Sequence, residues 1–363
     1  MSIILFIVIL GVLVFVHELG HFLVAKRAGI RVDEFAIGFP PRIISRKVGE
    51  TVYSINLIPF GGYVKIYGED MLDVPADDKS RQRSFVGKNR GVQALVLVAG
   101  IVANIIFAWA LISLTFMTGA PVSSTDYEGI ALQDERIMVV SVFEASPAEI
   151  ADIKAGDVVR FIADGAGEKR DLDIEGIQQF VASHEGKSIT LGIERKGEAY
   201  EISVVPAKGV VGEEAGIGIS MDEVGTLKLS FFSAFLEGAK RTYSFLMLTA
   251  QGLWDFLYRL VIFNADFSQI SGPVGIATLV GEAQSLGLFY VLTFTAIISL
   301  NLAVINLVPF PALDGGRLLF VIIESVIRRS LPAKFLHWIN AAGFILLLAL
   351  LLFVTYKDIL RFF

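Results

Sequence analysis

Residues 12–26 read VLVFVHELGHFLVAK, a stretch that places two histidines and a glutamate inside an apolar run. The fourteen residues from Ile3 to Val16 carry no polar side chain. On an α-helix, positions i and i+4 project from nearly the same side, so His17 and His21 can offer two imidazole nitrogens to one metal ion. Ionisable groups are costly in lipid, and this apolar setting therefore indicates a functional site.

The His-Glu-x-x-His spacing is the pattern with which zinc peptidases supply two metal ligands and a general base, here Glu18. A chance motif on a soluble helix is one alternative, but the apolar flanks argue against a surface position. A signal peptide is another alternative. Residues 1–16 contain no Lys or Arg, however, and no Ala-x-Ala site precedes Lys26. The sequence therefore favours a metal site.

The composition predicts an integral membrane protein with room for one extramembrane domain. The chain has 363 residues, 54% of them hydrophobic, and a mean hydropathy of +0.65. The absence of cysteine excludes a disulfide scaffold and a Cys-ligated metal. Residues 121–225 contain 21 acidic and 9 basic residues within a chain of net charge −6, so the rest of the chain is basic. No segment resembles a nucleic-acid-binding surface.

Four apolar segments have about the length needed to cross a bilayer: Ser2–Ala25, Val92–Met117, Leu286–Pro309 and Phe335–Tyr356. Twelve Lys and Arg residues lie between Lys26 and Arg90, which predicts a cytoplasmic loop there. The N-terminus, the acidic segment and the C-terminus are then extracytoplasmic. At ~1.5 Å per residue, the two histidines lie roughly 7–14 Å below the cytoplasmic boundary.

The third metal ligand is expected in residues 306–316, which read NLVPFPALDGG. Asp314 is the best-placed carboxylate at the end of an apolar span, and the prolines break the helix before it. Irregular backbone at membrane depth is tolerated only beside protein or a water-filled cavity. The alternative is that Asp314 merely caps a helix over Arg317–Arg328.

These motifs together resemble the site-2 protease family of intramembrane zinc metalloproteases, particularly its bacterial branch of regulated intramembrane proteolysis. The resemblance covers nearly the whole chain. Its further motifs are Gly38-Phe39-Pro40, IPFGGYVK at 58–65, AGIVAN at 99–104 and SGPVGI at 271–276. One departure is Ala99-Gly100-Ile101, where the family often has Gly-Pro, which leaves the local geometry of the second span open.

The resemblance implies one Zn²⁺ per chain held by His17, His21 and Asp314, with Glu18 as the general base. Ligand types alone do not separate zinc from another divalent ion. The substrates implied are transmembrane segments of other membrane proteins, such as anti-sigma factors and signal-peptide remnants. Asn306 matches the family's substrate-holding asparagine, and Asn301 is a weaker candidate. The alternative for both is hydrogen bonding between helices.

Residues 49–67 predict a membrane-inserted β-hairpin. Residues 49–59 and 63–67 alternate as strands around the turn at Gly61-Gly62. We expect the edge formed by Gly61, Gly62, Tyr63 and Val64 to pair with an unwound substrate by strand addition.

Residues 121–210 predict an extracytoplasmic α+β domain of the PDZ type. Its expected elements are strands at 137–143 and 158–163, a capping box at 146–149, a helix at 174–183, and a hairpin of 188–194 with 199–205. Such a domain could bind extended peptides or act as a size filter. His184 and His337 are not expected to be ligands.

Residues 211–285 predict amphipathic helices on the membrane surface and a linker, with a fifth span over 231–261 as the alternative.

The predicted fold class is thus an α-helical polytopic membrane protein. Residues 1–120 contribute two transmembrane helices and the hairpin, and residues 286–363 contribute the last two helices. One PDZ-like domain is inserted between these pairs. The functional alternatives are a non-catalytic scaffold that keeps a structural metal, which would not need Glu18, and a metal transporter, for which the four unequal spans show no inverted repeat.

Overall fold

The computed structural model describes residues 2–69, 78–127, 130–195, 197–210, 214–262, 264 and 271–362. Contacts divide the chain into two units. Met1–Thr115 and Phe235–Phe363 form one unit, here called the membrane unit, and Phe116–Ala234 form the second, here called the outer unit after its predicted extracytoplasmic position.

The described helices are, in chain order, α1 (Ser2–Arg27), α2 (Asp78–Gln82), α3 (Arg90–Thr118), α4 (Pro147–Ile150), α5 (Ile174–Ser183), α6 (Phe231–Val261), α7 (Pro273–Leu286), α8 (Leu288–Leu307), α9 (Asp314–Ile327) and α10 (Ala333–Phe362). The described strands are β1 (Val32–Val48), β2 (Thr51–Ile66), β3 (Ala120–Ser123), β4 (Gln133–Val142), β5 (Val158–Asp164), β6 (Gly167–Lys169), β7 (Ile189–Arg195), β8 (Glu198–Val204) and β9 (Ile219–Leu227).

Four of the described helices, α1, α3, α8 and α10, are long and apolar enough to cross a membrane. They coincide with the four predicted spans, because each apolar run of about 20 residues satisfies its own backbone hydrogen bonds only as a helix. Helix α6 is one continuous helix of 31 residues over the predicted amphipathic segment. It is not among the four span-length apolar helices, so the alternative of a fifth span gains no support.

Strands β1 and β2 are long and bent, and each contributes two segments to a sheet of four neighbouring segments. Residues 32–37 run antiparallel to 62–66, residues 42–48 run antiparallel to 51–56, and 34–37 also lie beside 52–55. The predicted hairpin of 49–59 with 63–67 is therefore wrong, because 32–37 lies between those segments. The tight turn falls at Gly49-Glu50, where Gly49 has φ 63°, and Gly61-Gly62 is a bend within β2.

The paired segments 32–37 and 62–66 of this sheet pack into the core of the membrane unit. Phe35 and Val64 are buried with Ala25 of α1, Val96 of α3 and Val321 of α9. Burial of these apolar side chains fixes the sheet against the three helices that carry or surround the metal-ligand candidates.

The outer unit contains a seven-stranded sheet of order β3-β9-β4-β5-β7-β8, with β6 paired to β5. Its predicted strands and its helix at 174–183 form as expected, and β7 and β8 form the predicted hairpin, whose turn residue Lys196 lies outside the described residues. Ser146 caps α4 by accepting a hydrogen bond from the Glu149 amide, as the capping box predicts. Strand β9 follows residue 210, where the sequence analysis ended this domain, and the unit ends at Ala234.

A partly buried ion pair lies within the outer unit. Arg195 donates to the Asp157 carboxylate at 2.7 Å, and the Asp157 side chain is 1% exposed. Hydrogen bonding to Asp157 raises the pKa of the Arg195 guanidinium. The Arg195 guanidinium therefore stays charged and gives the buried Asp157 side chain the partner that burial of such a group requires.

Candidate metal centre

His17 and His21 lie one turn apart on α1, and both direct their Nε2 atoms toward Asp314. The His17 Nε2 atom is 3.0 Å and the His21 Nε2 atom 3.2 Å from Asp314 Oδ2, and the two Nε2 atoms are 3.1 Å apart. The three side chains are 12%, 9% and 17% exposed. A nearly equilateral triangle of ligand atoms is thus buried between α1 and the start of α9.

The size of this triangle suits a small divalent ion. Ligand atoms placed tetrahedrally at zinc–nitrogen and zinc–oxygen distances lie about 3.3 Å from one another. The observed separations are a few tenths of an ångström shorter than that value. Two imidazole nitrogens and one carboxylate oxygen also match the usual ligands of catalytic zinc sites, which leave a fourth position open. Among the residues that the structure describes, His17, His21 and Asp314 are the group able to hold a metal ion.

Asp314 reaches the histidines because a compact turn ends α8 and starts α9. Asp314 is the first residue of α9, so the helix begins three residues before the predicted Arg317. The residue at the N-cap is Leu313, and the Asp314 carboxylate faces the imidazoles. A Cβ on Gly315 would lie 2.3 Å from the carbonyl oxygens of Leu307 and Val308, so glycine permits the two backbones to meet.

Neighbouring helices fix the position of α9. The Arg90 guanidinium at the start of α3 pairs at 2.7 Å with Glu324 of α9, whose side chain is 4% exposed. Arg317 pairs with Glu69 near the first turn of α9. In the turn before α9, the Ala312 amide donates to Asn340 of α10. These contacts hold the Asp314 carboxylate on rigid elements.

Helix α3 supplies two further parts of the site, whose roles the sequence analysis did not assign. His21 Nδ1 lies 2.8 Å from the Val96 carbonyl oxygen. A Cβ on Gly100 would lie 2.3 Å from His21 Nε2 and 2.8 Å from His17 Cε1, so only glycine lets α3 approach the imidazoles. Positions 96 and 100 are one turn apart, and the glycine of the AGIVAN motif, one turn after Val96, is the signal that could have found them. Helix α3 runs without interruption through Ile101. The local geometry of the second span, which the departure from Gly-Pro left open, is therefore that of a continuous helix.

Glu18 lies on the same turn of α1 as His17 and is half-buried. Its carboxylate lies close enough to His17, His21 and Asp314 to interact electrostatically with each of them. The structure thus brings the predicted general base and the three predicted ligands into one group of side chains.

The segment of β2 that contains Gly61, Gly62, Tyr63 and Val64 lies beside α1. A Cβ on Gly62 would be 3.7 Å from the Val14 side chain, one turn before His17. Val64 is buried in the core and the Tyr63 ring stacks on Phe39, with ring centroids 6.4 Å apart. Residues 62–66 pair with 32–37 on one side only, which leaves their outer backbone edge without a strand partner in the described part of the chain.

Asn306 and Asn301 lie on opposite faces of α8. Ser299 of α8 donates to the backbone oxygen of Asn104, whose side chain lies beside His17. At about 100° per residue, Asn306 lies within roughly 20° of Ser299 around the helix, whereas Asn301 lies about 200° away. Asn306 therefore shares the face of α8 that is directed toward the metal-ligand candidates.

The sequence of the chain matches the model of peptidase family M50 over residues 5–350. It is 34% identical over 362 residues to a protein of Clostridium perfringens, with 99% of each chain covered. It is also 30% identical over 441 residues to the zinc metalloprotease RasP of Oceanobacillus iheyensis, and 31% identical over 438 residues to RasP of Geobacillus kaustophilus. These alignments cover 100% of this chain and 99% and 98% of the two relatives.

The chain belongs to peptidase family M50, the site-2 protease family, and the resemblance found in its motifs is confirmed. It is accordingly a zinc metalloprotease and an integral membrane protein. The predicted Zn²⁺ cofactor agrees with the His-His-Asp group described above.

Proposed function

We propose that this protein is an intramembrane endopeptidase that cleaves transmembrane segments of single-span membrane proteins in regulated intramembrane proteolysis. One observation carries the proposal. The His17–His21–Asp314 triangle is built on α1, a helix apolar enough to span a membrane. A metal site in that position acts on peptide bonds at membrane depth. Anti-sigma factors and signal-peptide remnants are the substrate classes that we expect.

Four residues of the chain have separate roles in the proposed hydrolysis. His17, His21 and Asp314 would hold Zn²⁺, which when bound would supply Lewis-acid chemistry by polarising a carbonyl and lowering the pKa of water to about 7. Glu18 accepts a proton from the attacking water and passes it to the leaving amine nitrogen. The burial of the four side chains limits bulk water, so the charges of the site act more strongly than they would in solvent.

A helical substrate must unwind before its peptide bonds can be attacked. The free edge of residues 62–66, beside α1, supports a role in holding the unwound segment as an added strand. Gly61 and Gly62 keep this edge free of side chains, and backbone hydrogen bonds from Tyr63 and Val64 would provide binding without strict sequence preference.

Asn306 is the substrate-holding asparagine in this proposal, and Asn301 is not. The position of Asn306 on the Ser299 face of α8 supports this choice. The Asn306 side chain is half-buried and makes no hydrogen bond to another described residue, so its amide is free to bond a substrate carbonyl. The opposite orientation of Asn301 suits a hydrogen bond to a neighbouring helix.

We further propose that the N-terminus, the outer unit and the C-terminus are extracytoplasmic in the cell membrane, with the metal centre nearer the cytoplasmic side. The basic loop between Lys26 and Arg90 supports this orientation.

The outer unit is proposed to be a PDZ-like peptide-binding domain. Strand β9 pairs with β4 over its length, but β3 pairs only with residues 224–227. Residues 219–223 therefore have one edge without a strand partner among the described residues. An extended peptide could add there by the strand augmentation that PDZ domains use.

The test is cleavage of a single-span model substrate in proteoliposomes by the wild type and by Glu18→Gln, with bound zinc measured in both. Glutamine keeps the size of the side chain and removes its basicity. We expect Glu18→Gln to retain zinc and to lose cleavage by at least about 100-fold, the usual contribution of a general base. Equal cleavage by both proteins would contradict the proposed mechanism. Cleavage of a soluble loop in place of the transmembrane segment would contradict the intramembrane substrate class.

A further inference from the structure

Three positions of α3 lie one helical turn apart on the face that meets α1. They are Val96, Gly100 and Asn104, each four residues after the previous one. Val96 contacts His21 through its carbonyl oxygen, and Gly100 leaves room for both imidazoles. Asn104 is fully buried, and its Nδ2 atom lies 3.4 Å from His17 Nδ1. Each imidazole thus has one group of α3 at its Nδ1 atom.

The metal-holding role of the histidines determines where their ring protons lie. A neutral imidazole that offers its Nε2 lone pair to a cation carries its hydrogen on Nδ1, and that hydrogen requires an acceptor. For His21 the acceptor is the Val96 carbonyl at 2.8 Å. For His17 the side-chain group that lies at Nδ1 is the Asn104 amide.

The Asn104 amide has an oxygen available for this purpose. Its Oδ1 atom is buried and accepts no hydrogen bond from the described residues. A half-turn about the Cβ–Cγ bond exchanges Oδ1 with Nδ2 and places the acceptor opposite His17 Nδ1. The backbone of Asn104 is held in place independently, because its carbonyl accepts a hydrogen bond of 2.9 Å from Ser299 Oγ.

We propose that Asn104 is a positioning residue of the metal centre. Its amide oxygen accepts the Nδ1 hydrogen of His17, which fixes the ring orientation and the tautomer that presents Nε2 to the metal. Asn104 acts through His17 and does not contact the reacting atoms. The inference rests on the proposed role of His17 as a metal ligand.

A structural role in helix packing makes a different prediction. Buried asparagines often join transmembrane helices by hydrogen bonds, and losing such a bond lowers stability without changing metal affinity. Outer-sphere partners of metal-ligating histidines typically change metal affinity by 10–100-fold. Zinc affinity, measured separately from thermal stability, therefore separates the two roles.

The experiment measures the zinc dissociation constant of the detergent-solubilised full chain by chelator competition, together with its melting temperature and the visible spectrum of its Co²⁺ form. The variants are Asn104→Leu, Asn104→Ala and Asn104→Asp. Ser113→Ala is the matched control, since Ser113 Oγ is also buried on α3 and accepts no hydrogen bond from the described residues. His17→Ala tests the ligand assignment itself.

We expect Asn104→Leu and Asn104→Ala to weaken zinc binding by about 10–100-fold and to alter the Co²⁺ spectrum. Asn104→Asp keeps an oxygen acceptor and should restore both, and Ser113→Ala should match the wild type. If the leucine variant fails to fold, the contrast between alanine and aspartate decides. Wild-type affinity in Asn104→Ala, or equal loss in Asn104→Ala and Asn104→Asp, would overturn the proposal. If His17→Ala also binds zinc as the wild type does, the ligand assignment fails instead.

Discussion

Replacing Gly100 by alanine adds one methyl group at the closest approach of α3 to the metal ligands. The new Cβ would lie 2.3 Å from His21 Nε2 and 2.8 Å from His17 Cε1. Ordinary contacts of this kind are about 3.5 Å, so the imidazoles or the helix must move by roughly 1 Å. Metal–ligand distances are held within about 0.2 Å, so this movement exceeds what the site can accommodate.

We expect Gly100→Ala to lower kcat/KM for a single-span substrate by about 100-fold, which corresponds to roughly 2.7 kcal/mol of transition-state stabilisation. Bound zinc should fall as well. Alanine is the better helix former by about 0.8–1.0 kcal/mol, so unfolding of α3 is not the expected cause of the loss. The assay is cleavage in proteoliposomes, with zinc content and melting temperature measured on the same preparations.

Gly91→Ala is the matched control on the same helix. Its Cβ would have Asn89 Oδ1 at 3.5 Å as its nearest neighbour, an ordinary contact, so activity and zinc content should remain as in the wild type. Full activity and full zinc content in Gly100→Ala would refute the close packing of α3 against the imidazoles. A loss of activity explained entirely by a lower melting temperature would refute the local explanation.

Asn306→Ala should retain zinc and the wild-type melting temperature but lose cleavage by about 10- to 100-fold, because the proposed substrate contact is removed and the ligands are untouched. Asn301→Ala serves as its control. Equal activity of the two variants would remove Asn306 from substrate binding. Asp358→Asn should lower the free energy of unfolding by about 0.5–2 kcal/mol, because the Asp358 carboxylate accepts the Gly272 amide at 3.2 Å and the Gly275 amide at 2.8 Å at the start of α7. Chemical denaturation in micelles measures that change, and unchanged stability would show that this capping contact contributes nothing.

Local signals in the sequence predicted much of the fold. The apolar runs predicted four span-length helices because a lipid-facing backbone has few other options. The amphipathic pattern of residues 231–261 and the capping box at Ser146 likewise depend on interactions within a few residues. Such features form wherever the chain carries them, so sequence patterns report them well.

Pairing between distant segments was predicted less well. The turn residues Gly61 and Gly62 suggested a hairpin, but residues 32–37 lie between its two supposed strands. Strand β9 was missed because its partners β3 and β4 lie far back in the sequence. Register of this kind depends on which faces are buried together, and a single sequence does not encode that in any local pattern.

The metal centre combines both situations. The spacing of His17 and His21 is local and was predicted from helix geometry. Asp314, 297 positions away, was expected as the third ligand from its place at the end of an apolar span and from the family resemblance, but only the fold brings it to the histidines. Gly100 and Asn104 were recognised as parts of a motif but were given no role, because their roles depend on the distance between two helices.

Zinc K-edge X-ray absorption of the purified, zinc-loaded chain tests the central claim most directly. We predict a four-coordinate ion with two imidazole nitrogens and carboxylate and water oxygens at about 2.0–2.1 Å, with one imidazole lost in His17→Ala or His21→Ala and the carboxylate lost in Asp314→Ala. A zinc spectrum that keeps both imidazoles in His17→Ala and is unchanged in Asp314→Ala would contradict the account.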